Sequence, residues 1–367
     1  MLQHLAANSA AATAGIAQDR LVLAFQAIVT TLRSPTSKDP TQRLVPPAAK
    51  PTSAAAGPVP LGRPFPLYHR PGTVVILDDY PDELERLAAA LPKDWNVVTF
   101  ASPHSCLNYL QQEPPRWEAD FWAQRQMVDD WYDNAPLIPQ IMAYWADRTD
   151  RYSLTQVFVC DDLMPGMDGP ELLSELVEWP GYRVLLSSAG DEEQIENATQ
   201  RRLIDRCVQK QTPDFVATLT DAVNDFLVKP NERCHQIWSR TLGVEQALLL
   251  RTPSIAADLG NFARRTWVEW VAIGEPFGLL GIDSRGMVSW LQLEPAGELA
   301  SLAQAAGRHG AISAEQEDIR NGRSISDFKL QKCLGRAKAP SVLPAFYVGD
   351  SGELLAAIQR VETFPRT

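Results

Sequence analysis

Cys160-Asp161-Asp162-Leu163-Met164-Pro165-Gly166-Met167-Asp168-Gly169 is the stretch on which the fold turns. The apolar run Gln156 to Val159 leads into it, so its first acids stand at a strand end, ahead of a turn marked by Pro165 and Gly166. Thr73 to Leu77 is a second buried-strand run, and it too ends in an acidic pair, Asp78-Asp79. Tyr182 to Leu186 runs into Ser187-Ser188-Ala189, and Arg206 to Gln209 runs into Lys210. In open parallel α/β sheets, ligands gather outside the carboxyl ends of the strands, where the strand order reverses. These strand ends therefore converge on one crevice. Any one of these residues alone reads as a helix cap or a solvated charge; their order and shared strand-end position make a site.

Helical segments alternate with these strands: Asp82 to Leu91, Pro103 to Gln112, Pro170 to Trp179, Asp191 to Ile204 and Thr212 to Leu227. That alternation predicts a doubly wound α/β domain, a parallel sheet with helices on both faces.

Over roughly Pro71 to Val228 the chain resembles the receiver domain of two-component response regulators. The resemblance rests on Asp78-Asp79 after the first strand, Asp161 followed by Met164-Pro165 and Met167-Asp168-Gly169, Ser188-Ala189 after the fourth, and Lys210 after the fifth. It implies a flavodoxin-like sheet of five strands in the order 2-1-3-4-5, with Asp161, not Asp162, as the phosphoryl acceptor. It also implies roles for Ser188 and Lys210 as phosphoryl-binding residues, and a sensor histidine kinase or phosphotransfer protein as the donor.

The physical logic runs beside the resemblance. Carboxylates about 4 Å apart repel by roughly 4 kcal/mol per pair at an effective dielectric near 20. A divalent cation among them relieves that repulsion. Mg²⁺ prefers a few carboxylates plus waters and a phosphoryl oxygen, which suits Asp79 and Asp161 as direct ligands, Asp78 through water, and the backbone carbonyl of Leu163. A carboxylate nucleophile then forms an acyl phosphate.

Three features depart from the family pattern. Gln211 replaces the usual proline after the lysine, Cys207 takes the place of the switch aromatic, and about Glu113 to Ser153 is inserted before the third strand. Trp117, Phe121, Trp122, Met127, Trp131 and Tyr132, then Ile138, Ile141, Met142, Tyr144 and Trp145, recur at helical spacing. They predict a helical hairpin broken at Asn134-Ala135-Pro136, packed on its own chain or forming a homodimer surface.

Residues 1–70 read as a leading helix, about Thr13 to Arg33, and a linker rich in proline, alanine and serine. Residues 71–230 form the receiver, with 113–153 as the insertion, and 231–367 an α+β output domain. There the spacing predicts helices over Ile237 to Leu250 and Ala256 to Val271, and a β-hairpin from Phe277 to Leu293. Short helices follow at Gly297 to Ala306, Ala314 to Asn321 and Asp327 to Leu334, then a strand at Ala345 to Val348 and a closing helix at Gly352 to Val361. No catalytic signature stands out in this region, so a non-enzymatic output is expected.

A net charge of -11 opposes nonspecific attraction to nucleic acid. Arg320, Arg323, Lys329, Lys332, Arg336 and Lys338 nevertheless crowd one stretch, which keeps a DNA-binding transcriptional regulator as the alternative. The scattered cysteines exclude a disulfide framework. No segment approaches 18 apolar residues, so the expectation is a cytoplasmic protein without a membrane span.

Overall fold

The structure is a computed structural model that describes residues 64–188, 192–336 and 340–361. The leading helix expected at Thr13 to Arg33 lies outside the described residues.

The chain enters through a short strand, β1 (Tyr68–His69), and then builds the parallel sheet from β2 (Thr73–Leu77), β3 (Asn96–Phe100), β4 (Thr155–Asp161), β5 (Tyr182–Ser187) and β6 (Arg206–Gln209). Its strand order, β3-β2-β4-β5-β6, is the 2-1-3-4-5 order expected from the sequence. All five residues of β2 are buried, because a parallel sheet is covered on both faces and its central strands carry apolar side chains on each. Val75, Leu77, Phe158 and Cys160 face one core with α2 (Pro103–Gln111) and α5 (Gly169–Ser174). Val74, Ile76, Val157 and Val159 face the other with α1 (Pro81–Ala90) and α7 (Phe215–Leu227). The remaining helix of this unit, α6, spans Glu192–Gln200.

Two helices form the insertion, α3 (Pro114–Tyr132) and α4 (Leu137–Asp147), with the break at the expected Asn134-Ala135-Pro136. Their side chains Trp117, Phe121, Ile138, Ile141 and Trp145 join one apolar core with Trp238, Trp270 and Trp290 of the C-terminal region. The hairpin therefore packs on its own chain. Only part of its aromatic set, notably Trp122 and Tyr132, stays exposed.

The C-terminal region carries α8 (Glu232–Ser239), α9 (Val244–Leu249), α10 (Pro253–Thr266), β7 (Glu269–Gly274), β8 (Phe277–Ile282) and β9 (Val288–Pro295). After α11 (Leu299–Arg308) and α12 (Ser313–Arg320) come β10 (Ser324–Ser326), α13 (Phe328–Cys333), β11 (Val342–Pro344), β12 (Phe346–Val348) and β13 (Leu354–Arg360). An antiparallel sheet of order β1-β7-β8-β9-β13-β12 is its backbone, while β10 and β11 pair separately.

Three expectations for this region need correction. Gly352 to Val361 is not a helix: Leu354 to Ala357 are buried in succession and β13 pairs with both β9 and β12. A run buried on both faces reads equally well as a helix by composition, and tertiary pairing overrides the helical preference of Leu and Ala. The helix expected from Ala256 ends at Thr266, and Glu269 to Gly274 becomes a buried strand between β1 and β8. Ile237 to Leu250 is split into α8 and α9, with Gly243 preceding the second helix.

Buried polar pairs tie the units together. Glu113 accepts hydrogen bonds from the Thr155 amide (3.0 Å), the Thr155 hydroxyl (2.7 Å) and the Trp179 indole (2.9 Å), pinning the root of the insertion to the receiver sheet. Burial raises its pKa, and those donors hold the rise back. At the other end, Arg151 forms a fully buried ion pair with Glu269 of β7 (2.6 Å).

Candidate functional site

Each site residue is placed by the element that ends beside it. Asp78 and Asp79 follow β2, Asp161 closes β4, Ser188 follows β5 and Lys210 follows β6. The parallel register puts these ends at one edge of the sheet, and the side chains meet there. Lys210 Nζ lies 2.7 Å from Asp161 Oδ2 and 2.8 Å from Asp78 Oδ2. Asp78, Asp79 and Asp161 bring carboxylate oxygens within 4.8 Å of one another.

The turn after β4 is shaped by its own residues. Asp168 caps α5, its Oδ1 accepting the Glu171 amide at 2.7 Å. At Gly169 an added Cβ would stand 2.4 Å from the Asp161 carbonyl oxygen, so only glycine lets the helix start approach Asp161 this closely. Leu163 lies in the same turn, with its side chain exposed.

Burial is what perturbs Asp161. It pushes Asp161 up to about 6, Lys210 pulls the value down, and Asp78 and Asp162 add to the rise. For Lys210 burial lowers the pKa, but its bonds to Asp161 and Asp78 prevail and the net shift is upward. The ammonium is thus held charged between two acids.

The donor set fits a divalent cation. Both oxygens of Asp78 are engaged, Oδ2 by Lys210 and Oδ1 by the Tyr80 amide at 2.9 Å. Asp79 Oδ1, in contrast, is buried without a hydrogen-bond partner. A buried carboxylate oxygen left unpaired is costly, and a cation beside Asp161 would satisfy it.

Asp162 adds a contact that the sequence did not single out. Its Oδ2 accepts the Ser188 amide at 3.1 Å, while Oδ1 is buried without a partner. The second acid of the Asp161-Asp162 pair was the available signal, but its link to Ser188 is long-range. Ser188 is half-buried beside the site.

At least three of the six basic residues in that stretch of the C-terminal region pair with acids. Arg320 pairs with Glu317, Arg323 with Asp318 and Lys329 with the buried Glu294.

The structure of the response regulator LqsR from Legionella pneumophila is similar over most of the molecule, with a TM-score of 0.57 and 21% identity, covering 82% of this chain and 91% of that one. The five-stranded unit has the receiver fold of response regulators. The similarity to LqsR spans more than the receiver, since it takes in most of both chains. Receiver structures match a smaller share. One from Clostridium thermocellum has 15% identity, a TM-score of 0.27, and covers 42% of this chain and 94% of its own. The receiver domain of an HD domain-containing protein from Pseudomonas fluorescens has 17% identity, a TM-score of 0.30, and covers 46% and 91%. No family model matches the sequence, and no curated protein does.

Proposed function

We propose that the receiver accepts a phosphoryl group on Asp161 from a sensor histidine kinase or phosphotransfer protein, and that this changes the protein contacts of the C-terminal unit. The observation that carries this reading is Lys210 Nζ held between Asp161 and Asp78, at 2.7 and 2.8 Å, beside an unpaired Asp79 oxygen. With its pKa at about 6, Asp161 is about nine-tenths ionised at pH 7 and available as a nucleophile.

In the transfer, an Asp161 oxygen forms a bond to phosphorus as the P–N bond to the donor imidazole breaks, and the electron pair leaves with the imidazole nitrogen. Asp79, Asp161 and the Leu163 carbonyl would hold Mg²⁺ here, with Asp78 in an indirect role, and the ion would supply charge neutralisation for the phosphoryl oxygens. Lys210 exchanges its carboxylate contact for a phosphoryl oxygen, a charge-assisted bond. Ser188 donates its hydroxyl to another, which draws the loop after β5 toward the site and away from Asp162.

The C-terminal unit acts as a contact surface, not as a catalyst or a DNA reader. The pairing of Arg320, Arg323 and Lys329 with acids weakens the positive field that their stretch would offer to phosphates. The place of action is the cytoplasm; among the described residues no helix is long and apolar enough to cross a membrane.

Labelling with radioactive acetyl phosphate tests the proposal. The expected result is Mg²⁺-dependent incorporation into the wild-type chain and none into Asp161→Asn. Undiminished labelling of Asp161→Asn would overturn it.

A further inference from the structure

A second polar site lies at the opposite edge of the receiver sheet from Asp161, where the receiver, the insertion and the C-terminal unit meet. A cavity of about 30 Å³ is lined there by Arg70, Trp117, Gln156, Tyr182, Lys229 and Asn231, among others. Gln156 and Tyr182 belong to the starts of β4 and β5, Trp117 to α3, and Lys229 and Asn231 to the link between α7 and α8.

Two of its donors lack partners. Arg70, which is 7% exposed, gives Nη1 to Asp120 at 2.8 Å but leaves Nη2 buried and unpartnered. The Trp117 indole N–H, beneath the Arg70 guanidinium, is also buried without a partner. At the mouth, Lys229 presents its ammonium to the rings of Tyr182 (4.8 Å) and Phe226 (5.8 Å), and no carboxylate among the described residues pairs with it. Asp120 is occupied already: it also accepts from Gln124 at 3.0 Å and from the Tyr144 hydroxyl. Asp205 and Glu232 act on Tyr182 at the rim. Among the residues that line the cavity, Arg70 and Lys229 are the charged side chains, and no carboxylate is among them.

We infer that this cavity binds a carboxylate group, which accepts from Arg70 Nη2 and the Trp117 indole and is neutralised by Lys229. Size selects the class: at roughly 10–15 Å³ per water-sized atom, the space holds two or three such atoms. That suits the two oxygens of a carboxylate better than the four of a phosphate. A planar guanidinium fork and an aromatic wall are the chemistry that recognises such a head. The occupant contacts all three parts of the chain and so ties the receiver to the C-terminal unit. Nothing in this inference depends on phosphorylation of Asp161.

Saturation-transfer NMR with acetate as the probe tests it, at ionic strength held constant with chloride and with inorganic phosphate as the second arm. Acetate should show saturable transfer from the wild-type chain, with phosphate at least several-fold weaker. Lys229→Gln, on an exposed side chain, should weaken acetate about tenfold, the effect of losing one charge-assisted contact. Arg70→Lys keeps a cation for Asp120 but removes Nη2, and should abolish the transfer. If that variant does not fold, Lys229→Gln decides alone. No transfer from the wild-type chain, transfer unchanged in folded variants, or phosphate binding as tightly as acetate would overturn the inference.

Discussion

Asp161 sets the chemistry at the scale of single residues. Its pKa is raised to about 6, so between the ordinary carboxylate value and that figure the native chain binds a proton the unfolded chain does not. In the metal-free protein this contribution to stability is fully present below about pH 4 and is lost as pH rises through about 6. A cation competes with that proton. Mg²⁺ affinity, measured by isothermal titration, should therefore be about tenfold weaker at pH 5 than at pH 7, from the ionised fraction alone. An affinity flat across that range would contradict the account. Asp162 is expected to behave differently from its neighbour. Replacing it by alanine frees the Ser188 amide, and exchange of that amide measured by NMR should speed at least tenfold while acetyl phosphate still labels the chain. Protection unchanged from the wild type would remove Asp162 from the switch. The acids and Lys210 were legible in the sequence because each is adjacent to the strand that delivers it. The bond between Asp162 and Ser188, and the unpaired donors of Arg70 and Trp117, were not, since they join segments far apart in the chain.

Elements were legible where local pattern and tertiary role agree. β2 and β4 are apolar over Val74 to Leu77 and Val157 to Cys160 because both faces are covered there, and α3 and α4 show helical spacing because one side of each is buried. β13 defeated the same reasoning, since Leu354 to Ala357 suit a buried helix turn as well as a central strand. β1 is too short for any periodicity, and only its pairing with β7 defines it. The start of α5 carries a sharper test. Gly169→Ala places a methyl group against the Asp161 carbonyl, and a clash with backbone costs about 1–3 kcal/mol. Denaturant titration should show that loss, accompanied by slower labelling of Asp161. The ion pair of Arg151 and Glu269 is a second point of leverage. Arg151→Ala strands a buried carboxylate, so the expected loss is about 3–5 kcal/mol. A loss below about 1 kcal/mol would mean that this contact does not hold the insertion to the C-terminal sheet.

Across the whole molecule, the insertion belongs energetically to the C-terminal unit. Its aromatic residues share a core with β7, β8 and β9, whereas the two cores of the receiver sheet contain none of them. Composition announced a structured hairpin but could not say which surface it covers, because burial of an aromatic stripe carries no address. Replacing residues 114–153 by a short linker should thus expose the C-terminal unit to limited proteolysis while Mg²⁺-dependent labelling of the receiver persists. Loss of both together would show that the receiver depends on the hairpin. The claim beneath all of this is a phosphoryl group carried on one particular carboxylate. Borohydride reduction of the acetyl phosphate-treated protein converts an aspartyl phosphate to homoserine, which peptide mass spectrometry locates. Homoserine at position 161, formed only with Mg²⁺, is the expected result; homoserine at 162, or at neither position, would contradict it.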